Sequence, residues 1–327
     1  MNQMLNILYV PTVEKDRWLY GDRYIRPLIR RLLRGKAPVG GIEKVYLTLI
    51  ESLRRSNIPF KINPSKKERQ EKDVNILLGR GIESLRALKP NEAFIAGIGF
   101  STHPLEFPKL REQYNIKAYL SHSEWINTLY SEHWGDICTT WHVGIDTKEW
   151  VKNKDKKNTE ILIYNKIRWN IEEKEQELLH PIILRLQKEN ISYKYIRYGK
   201  YKESEYKEAL SDCKAMIFLC EHETQGIACN EALSSGVPVF AWDEHIIRDP
   251  YYIKLKSNHI PCTSVPFFNK QCGETFKNIY EFHLKFSDFY NKAINNEYQP
   301  EKYVAEKLSM ESSVARLLEV INTYWHS

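Results

Sequence analysis

No stretch of this 327-residue sequence reaches about 18 consecutive apolar residues, so it offers no candidate for a membrane-spanning helix. The opening residues, Met1 to Val10, lack the basic start and long apolar core of a secretion signal and read as a strand. Six cysteines are scattered with no C-x-x-C pair, which argues against a zinc cluster or a disulfide framework. They are expected to be reduced thiols in a cytoplasmic protein, with Cys213, Cys220 and Cys229 acting as small apolar fillers. There is no P-loop, and Gly79-Arg80-Gly81 lacks the third glycine of a dinucleotide fingerprint, which removes a nicotinamide reading. No D-x-D motif is present, and Glu221-His222-Glu223, alternating on a short loop, is not a ligand set. No required metal is therefore expected. The charge imbalance is small, a net +6, and hints only at a polyanionic or membrane-surface partner.

The most informative stretch is residues 214–243. Ala215 to Leu219 is a short apolar run of the kind that fills a buried parallel strand. A polar turn follows, then a helix predicted to begin near Gly226 and to end at Ser235. Gly236 is placed for a left-handed cap and Pro238 blocks continuation. Val237 to Trp242 is the next strand. Glu223 precedes the helix and Glu231 lies in its second turn, eight residues apart, or roughly 12 Å at helical rise. Between them Gln225, Gly226, Ile227 and Ala228 bring backbone N–H groups to a helix N-terminus, which attracts phosphate. Gly226 lets a phosphate approach the backbone closely. Carboxylates accept hydrogen bonds from sugar hydroxyls. Carboxylate, phosphate cradle and carboxylate in a row suit sugar, pyrophosphate and ribose, that is, a nucleotide-sugar.

This stretch resembles the retaining GT-B glycosyltransferases of family 4 (glycosyl transferases group 1). Their E-x7-E signature corresponds to Glu223 and Glu231, followed by Gly236-Val237-Pro238-Val239. The resemblance implies an α/β protein of GT-B type, with two Rossmann-like domains facing across a cleft and a C-terminal helix crossing back to the first. Length agrees with two domains of about 150 residues each: 1–150 on the acceptor side, a lysine-rich linker at 151–158, and a nucleotide-sugar-binding domain at 159–327, whose last helix, about 312–325, would pack on the first domain. The implied activity is glycosyl transfer from a UDP-, GDP- or other nucleotide-sugar to a glycan, glycolipid or other hydroxyl acceptor, with retention of configuration. No cofactor beyond the donor is implied.

Other segments take their roles from the same resemblance. Gly40-Gly41 opens an amphipathic helix carrying Ile42, Val45, Tyr46, Leu49, Ile50 and Leu53, and looks like the family's Gly-Gly loop facing the donor phosphates. His103 stands after the strand ending at Ala96, where the family often has a histidine beside acceptor and sugar. Glu223 and His103 would serve the reacting centre. Ser123-Glu124-Trp125 looks like a family helix start, with Ser123 as its N-cap. Gly144-Ile145-Asp146 resembles the end of the first domain. After the strand Ile161–Tyr164 the family has Gly-Arg and a later Lys that hold the pyrophosphate. Here Lys166 or Arg168 is the first cation and Lys174 the second, the register being open. Gly199, between Tyr198 and Tyr201, lies where the nucleotide base packs. Residues 15–36 interleave basic and aromatic residues and read as a solvated loop, a dock for an anionic acceptor or inner-membrane surface, or a nucleic-acid face. Two rival functions remain: a GT-B enzyme glycosylating nucleic acid, which is the less expected partner, and a non-catalytic GT-B protein binding a glycan or partner.

Overall fold

The computed structural model describes residues 3–11, 20, 25, 41–153, 155 and 157–325. The chain forms two compact units. The first comprises the described parts of Met1–Ser121, His133–Thr139 and Leu317–Ser327; the second comprises His122–Glu132 and Thr140–Arg316.

The first unit is built on a six-stranded sheet in the order β2-β1-β3-β4-β5-β6. Its strands are β1 (Leu5–Val10), β2 (Phe60–Ile62), β3 (Val74–Gly79), β4 (Phe94–Ala96), β5 (Ile116–Ser121) and β6 (Cys138–Thr140). The pairings from β2 through β5 are parallel, and β1 runs in register with β3 from Leu5↔Val74 to Val10↔Gly79. Every residue of β3 is buried, as expected of a parallel strand covered on both faces.

The second unit carries a five-stranded, all-parallel sheet in the order β11-β10-β9-β7-β8. Its strands are β7 (Thr159–Asn165), β8 (Tyr193–Arg197), β9 (Cys213–Leu219), β10 (Val239–Trp242) and β11 (Gly273–Phe276). Successive side chains of a strand point to opposite faces, and the core follows that rule. Ile161, Ile163, Ala215, Ile217 and Leu219 join Leu186, Phe282, Phe286 and Phe289 on one face. Leu162, Tyr164, Met216 and Phe218 join Tyr206, Leu210, Leu233 and Val304 on the other. This double burial explains why β7 and β9 read as continuous apolar runs.

The helix predicted between β9 and β10 is Ile227–Ser234. It closes as a Schellman motif: the Gly236 N–H donates to Leu233 O at 3.0 Å and the Val237 N–H to Ala232 O at 3.1 Å. Gly236 has φ +69°, and a Cβ there would lie 2.6 Å from the Lys152 stem. Gly236→Ala should lower unfolding stability by about 1–2 kcal/mol for the left-handed backbone. A urea midpoint equal to wild type would overturn that account. β10 begins at Val239, two residues after the predicted start, because Pro238 has no N–H to donate.

Two details differ from expectation or refine it. Ser123 precedes the helix Glu124–Trp134, but its Oγ is buried and makes no hydrogen bond, so it does not cap that end through its side chain. The lysine-rich stretch from Val151 follows Trp150, which is buried in the core of the second unit, where its carbonyl accepts from Ser234 Oγ at 2.6 Å. All six cysteines are buried and unbridged, in keeping with a filler role. No described helix is long and apolar enough to cross a membrane.

Candidate functional site

The strand order of the second unit creates a switch point. From β7 the chain leads to β8 on one side, then to β9 on the other. The two connections diverge outside the carboxyl ends of β7 and β9, which is where open α/β sheets bind ligands. Lys166 leaves β7 there and Glu223 leaves β9. The Lys166 N–H still pairs with Leu219 O at 2.7 Å, one residue past the strand, and its Nζ forms an ion pair with Glu223 Oε1. The ammonium also lies 4.4 Å from the Tyr198 ring centroid. Burial disfavours the charged Lys166, but the Glu223 carboxylate beside it, together with Cys220 and Tyr198, outweighs burial and raises its pKa. The Glu223 backbone is fixed on both sides. Its N–H donates to Thr263 O at 2.9 Å, and its carbonyl accepts from Trp125 Nε1 at 2.7 Å.

The other two cations proposed from sequence stand differently. Arg168 donates through Nη2 to the His222 carbonyl at 2.6 Å, and its Nε lies 3.8 Å from Glu221 Oε2. Glu221 Oε1 accepts the backbone N–H groups of both Arg168 and Trp169, at 2.8 and 3.0 Å. Arg168 and Glu221 thus tie the loop after β7 to the loop after β9. Lys174 donates to Glu177, three residues on, at 2.5 Å. Of the three, Lys166 is the one brought onto Glu223.

His222, between the two glutamates, is 2% exposed and makes no hydrogen bond through either ring nitrogen. It stacks on Trp169 (centroids 5.1 Å, 22°) and meets Trp125 and Tyr252 edge-on. Burial, then the Arg168 and Lys166 charges, push its pKa down to about 3, so the ring is neutral.

Gly226 occupies the N-cap of the helix Ile227–Ser234 in the left-handed region, φ +68°, and no side chain caps that end. Gln225, just before it, is buried; its Oε1 lies 3.4 Å from the Val143 N–H, and its Nε2 makes no hydrogen bond. The Ala228 carbonyl accepts from Tyr206 Oη at 2.6 Å, which anchors the first turn to the sheet. Glu231 is buried in the second turn. Tyr164, Tyr201 and Tyr206 pack with centroids 5.3–5.8 Å apart, and Tyr164 Oη lies 2.7 Å from Tyr201 Oη. Gly199, φ +75°, turns beside exposed Tyr198, with nothing among the described residues within 4 Å of where its Cβ would stand.

In the first unit, Gly41 begins the helix Gly41–Arg55, with nothing among the described residues within 4 Å of where its Cβ would be. Gly40 and the basic segment 15–36, apart from Tyr20 and Ile25, lie outside the described residues. His103 is fully buried and caps the short turn Pro104–Glu106, its Nδ1 accepting from the Leu105 N–H at 3.2 Å. Burial, then His133, lower its pKa.

Structure comparison shows what this architecture is. The chain is similar to TarM of S. aureus, in a point mutant complexed with fondaparinux, alpha-GlcNAc-glycerol and UDP. The TM-score is 0.54 at 15% identity, covering 86% of this chain and 59% of that one. It is similar to the lipopolysaccharide outer core galactosyltransferase WaaB, with TM-score 0.53 at 10% identity over 98% of this chain and 99% of that one. A chain of the Gap123 glycosylation-associated complex from Streptococcus agalactiae gives TM-score 0.54 at 13% identity over 79% and 56%. This chain therefore spans about six-tenths of TarM's length and nearly all of WaaB's. No protein-family model and no curated protein matches it by sequence. The fold is GT-B.

Within this GT-B chain, four residues beyond the candidate site residues proposed from sequence pack around these groups: Trp125, Tyr164, Tyr206 and Glu221. Tyr164 carried a legible signal. A phenol inside the run Ile161-Leu162-Ile163-Tyr164 must bury a hydroxyl, and buried hydroxyls require partners. Glu221 and Trp125 carried none, because their partners are remote in sequence.

Proposed function

We propose that the protein is a retaining glycosyltransferase, moving a sugar from a nucleotide-sugar to the hydroxyl of a glycan or glycolipid acceptor. The observation that carries this reading is the meeting of Lys166 and Glu223 at the switch point, beside the uncapped helix start at Gly226 whose second turn buries Glu231. The TarM complex with UDP and alpha-GlcNAc-glycerol, and the galactosyltransferase WaaB, support glycosyl transfer, and the UDP of the TarM complex makes UDP the first nucleotide to test.

In this reading Lys166 and the backbone amides of Ile227 and Ala228 hold the diphosphate. Glu223, oriented by Lys166, accepts from sugar hydroxyls, and Glu231 accepts from ribose. The sugar–phosphate C–O bond breaks, the acceptor oxygen bonds to the same carbon, and the acceptor proton leaves with the diphosphate. Negative charge grows on the departing diphosphate, and a fixed cation with helix-end amides is the electrostatic device that stabilises it.

The test is thermal shift with UDP, GDP, ADP, CDP and dTDP, followed by turnover with the matching nucleotide-sugar. A nucleotide at a hundred times its Kd adds about 2.7 kcal/mol. Glu231→Ala should lose that shift, whereas Glu223→Ala should keep most of it and lose turnover. Equal nucleotide affinity in wild type and Glu231→Ala would overturn the ribose assignment, and no shift with any nucleotide would overturn the reading.

A further inference from the structure

The hydroxyl pair Tyr164–Tyr201 fixes the direction of a proton. Tyr164 is fully buried, so water does not reach its hydroxyl, and the hydrogen bond it makes is the 2.7 Å contact with Tyr201 Oη. A buried hydroxyl whose proton has no acceptor is costly. The Tyr164 proton is therefore directed to Tyr201 Oη, which makes Tyr201 the acceptor in the pair. Tyr201 is only half-buried, and its own proton is directed away from Tyr164.

What surrounds that second proton points to an anion. Burial, opposed by the Tyr164 hydrogen bond, raises the Tyr201 pKa; the Glu231 carboxylate raises it further and the Lys166 ammonium lowers it. Tyr201 thus lies within the fields of the cation at one end of the E-x7-E stretch and the carboxylate at the other. Its ring is held by Tyr206, whose own hydroxyl is bonded to the Ala228 carbonyl in the first turn of the helix. A rigid phenol with a directed donor, held through Tyr206 to the first turn of a helix and within the field of Lys166, is suited to an oxyanion.

We propose that the Tyr201 hydroxyl donates a hydrogen bond to an oxygen of the bound nucleoside diphosphate, with Tyr164 as the positioning residue that holds it in that orientation. This rests on the donor-site reading above. It adds a neutral donor to the charged and backbone groups already assigned.

The experiment measures UDP affinity and melting temperature for wild type, Tyr201→Phe, Tyr164→Phe and the double variant. Tyr201→Phe should weaken UDP about tenfold or more, the effect of losing a hydrogen bond to a charged group. With the matching donor sugar its KM should rise more than its kcat falls. It should also melt lower, because the Tyr164 proton loses its acceptor. Tyr164→Phe should weaken UDP less, since Tyr201 keeps its proton. The double variant separates the roles: removing both hydroxyls should restore the melting temperature while UDP affinity stays low. Recovery of UDP affinity together with the melting temperature would overturn the proposal, as would wild-type UDP affinity in Tyr201→Phe. Either result with a normal wild-type UDP shift strikes this assignment alone. Absence of any nucleotide shift in the wild type overturns it together with the donor-site reading.

Discussion

Lys166→Met should be the most damaging single change at the switch point. Both side chains of the Lys166–Glu223 pair are nearly enclosed, 12% and 11% exposed. Removing one partner of such a pair leaves an uncompensated charge, a loss of about 3–5 kcal/mol. In a unit of this size that lowers the melting temperature by on the order of 10 °C. Another side-chain neighbour of Glu223 Oε1, the Cys220 thiol at 3.6 Å, is a weak donor and cannot replace an ammonium. Nucleotide binding should be lost as well. The double variant Lys166→Met/Glu223→Gln should regain much of the stability, because no buried charge is left unpaired, but none of the affinity. Lys174→Met is the control. Its partner Glu177 is half exposed, so the pair contributes little, and UDP binding should persist. If Lys174→Met abolished UDP binding and Lys166→Met did not, Lys166 would not be the phosphate cation.

That pair of variants also marks where sequence reasoning reached and where it stopped. The strands at 161–165 and 213–219, the helix between Gly226 and Ser235 and its glycine exit were legible, because each is written in local pattern: buried runs, a left-handed glycine, a proline. Which cation meets Glu223 was not. Lys166 and Arg168 are two residues apart, and what separates them is contact with the other loop. Glu221, more than fifty residues away, captures the amides of Arg168 and Trp169, turning Arg168 toward the His222 carbonyl and leaving Lys166 to Glu223. No periodicity encodes that. Ser123 shows the converse limit. Ser-Glu at a helix start suggested a side-chain cap, yet the buried hydroxyl makes no hydrogen bond to the helix amides.

The second large effect concerns acid. His222 cannot take up a proton without placing a charge among Trp125, Trp169 and Tyr252, close to Arg168 and Lys166, and its pKa is accordingly about 3 in the folded chain. In the unfolded chain it reverts to about 6.5. Between those values the unfolded state binds the extra proton, so stability rises with pH and is lost as pH falls from about 6.5 toward about 3. One such group removes up to about 1.4 kcal/mol for each pH unit in that window. His122 and His142, both held to about 4 chiefly by burial, add to the same slope over a narrower range. Urea unfolding at pH 7, 6, 5 and 4 should therefore show a steep decline. His222→Phe keeps an aromatic ring in the box and removes both the titration and two buried nitrogens that make no hydrogen bond. It should match or exceed wild type at pH 7, where leaving polar atoms unsatisfied is costly. Below pH 6 it should lose stability with a slope shallower by about one proton. An identical pH slope in His222→Phe and wild type would mean that His222 takes its proton with no penalty, and that the aromatic box opens readily. A loop that open would not hold Glu223 in place for a sugar, which joins this stability measurement to the proposed transfer.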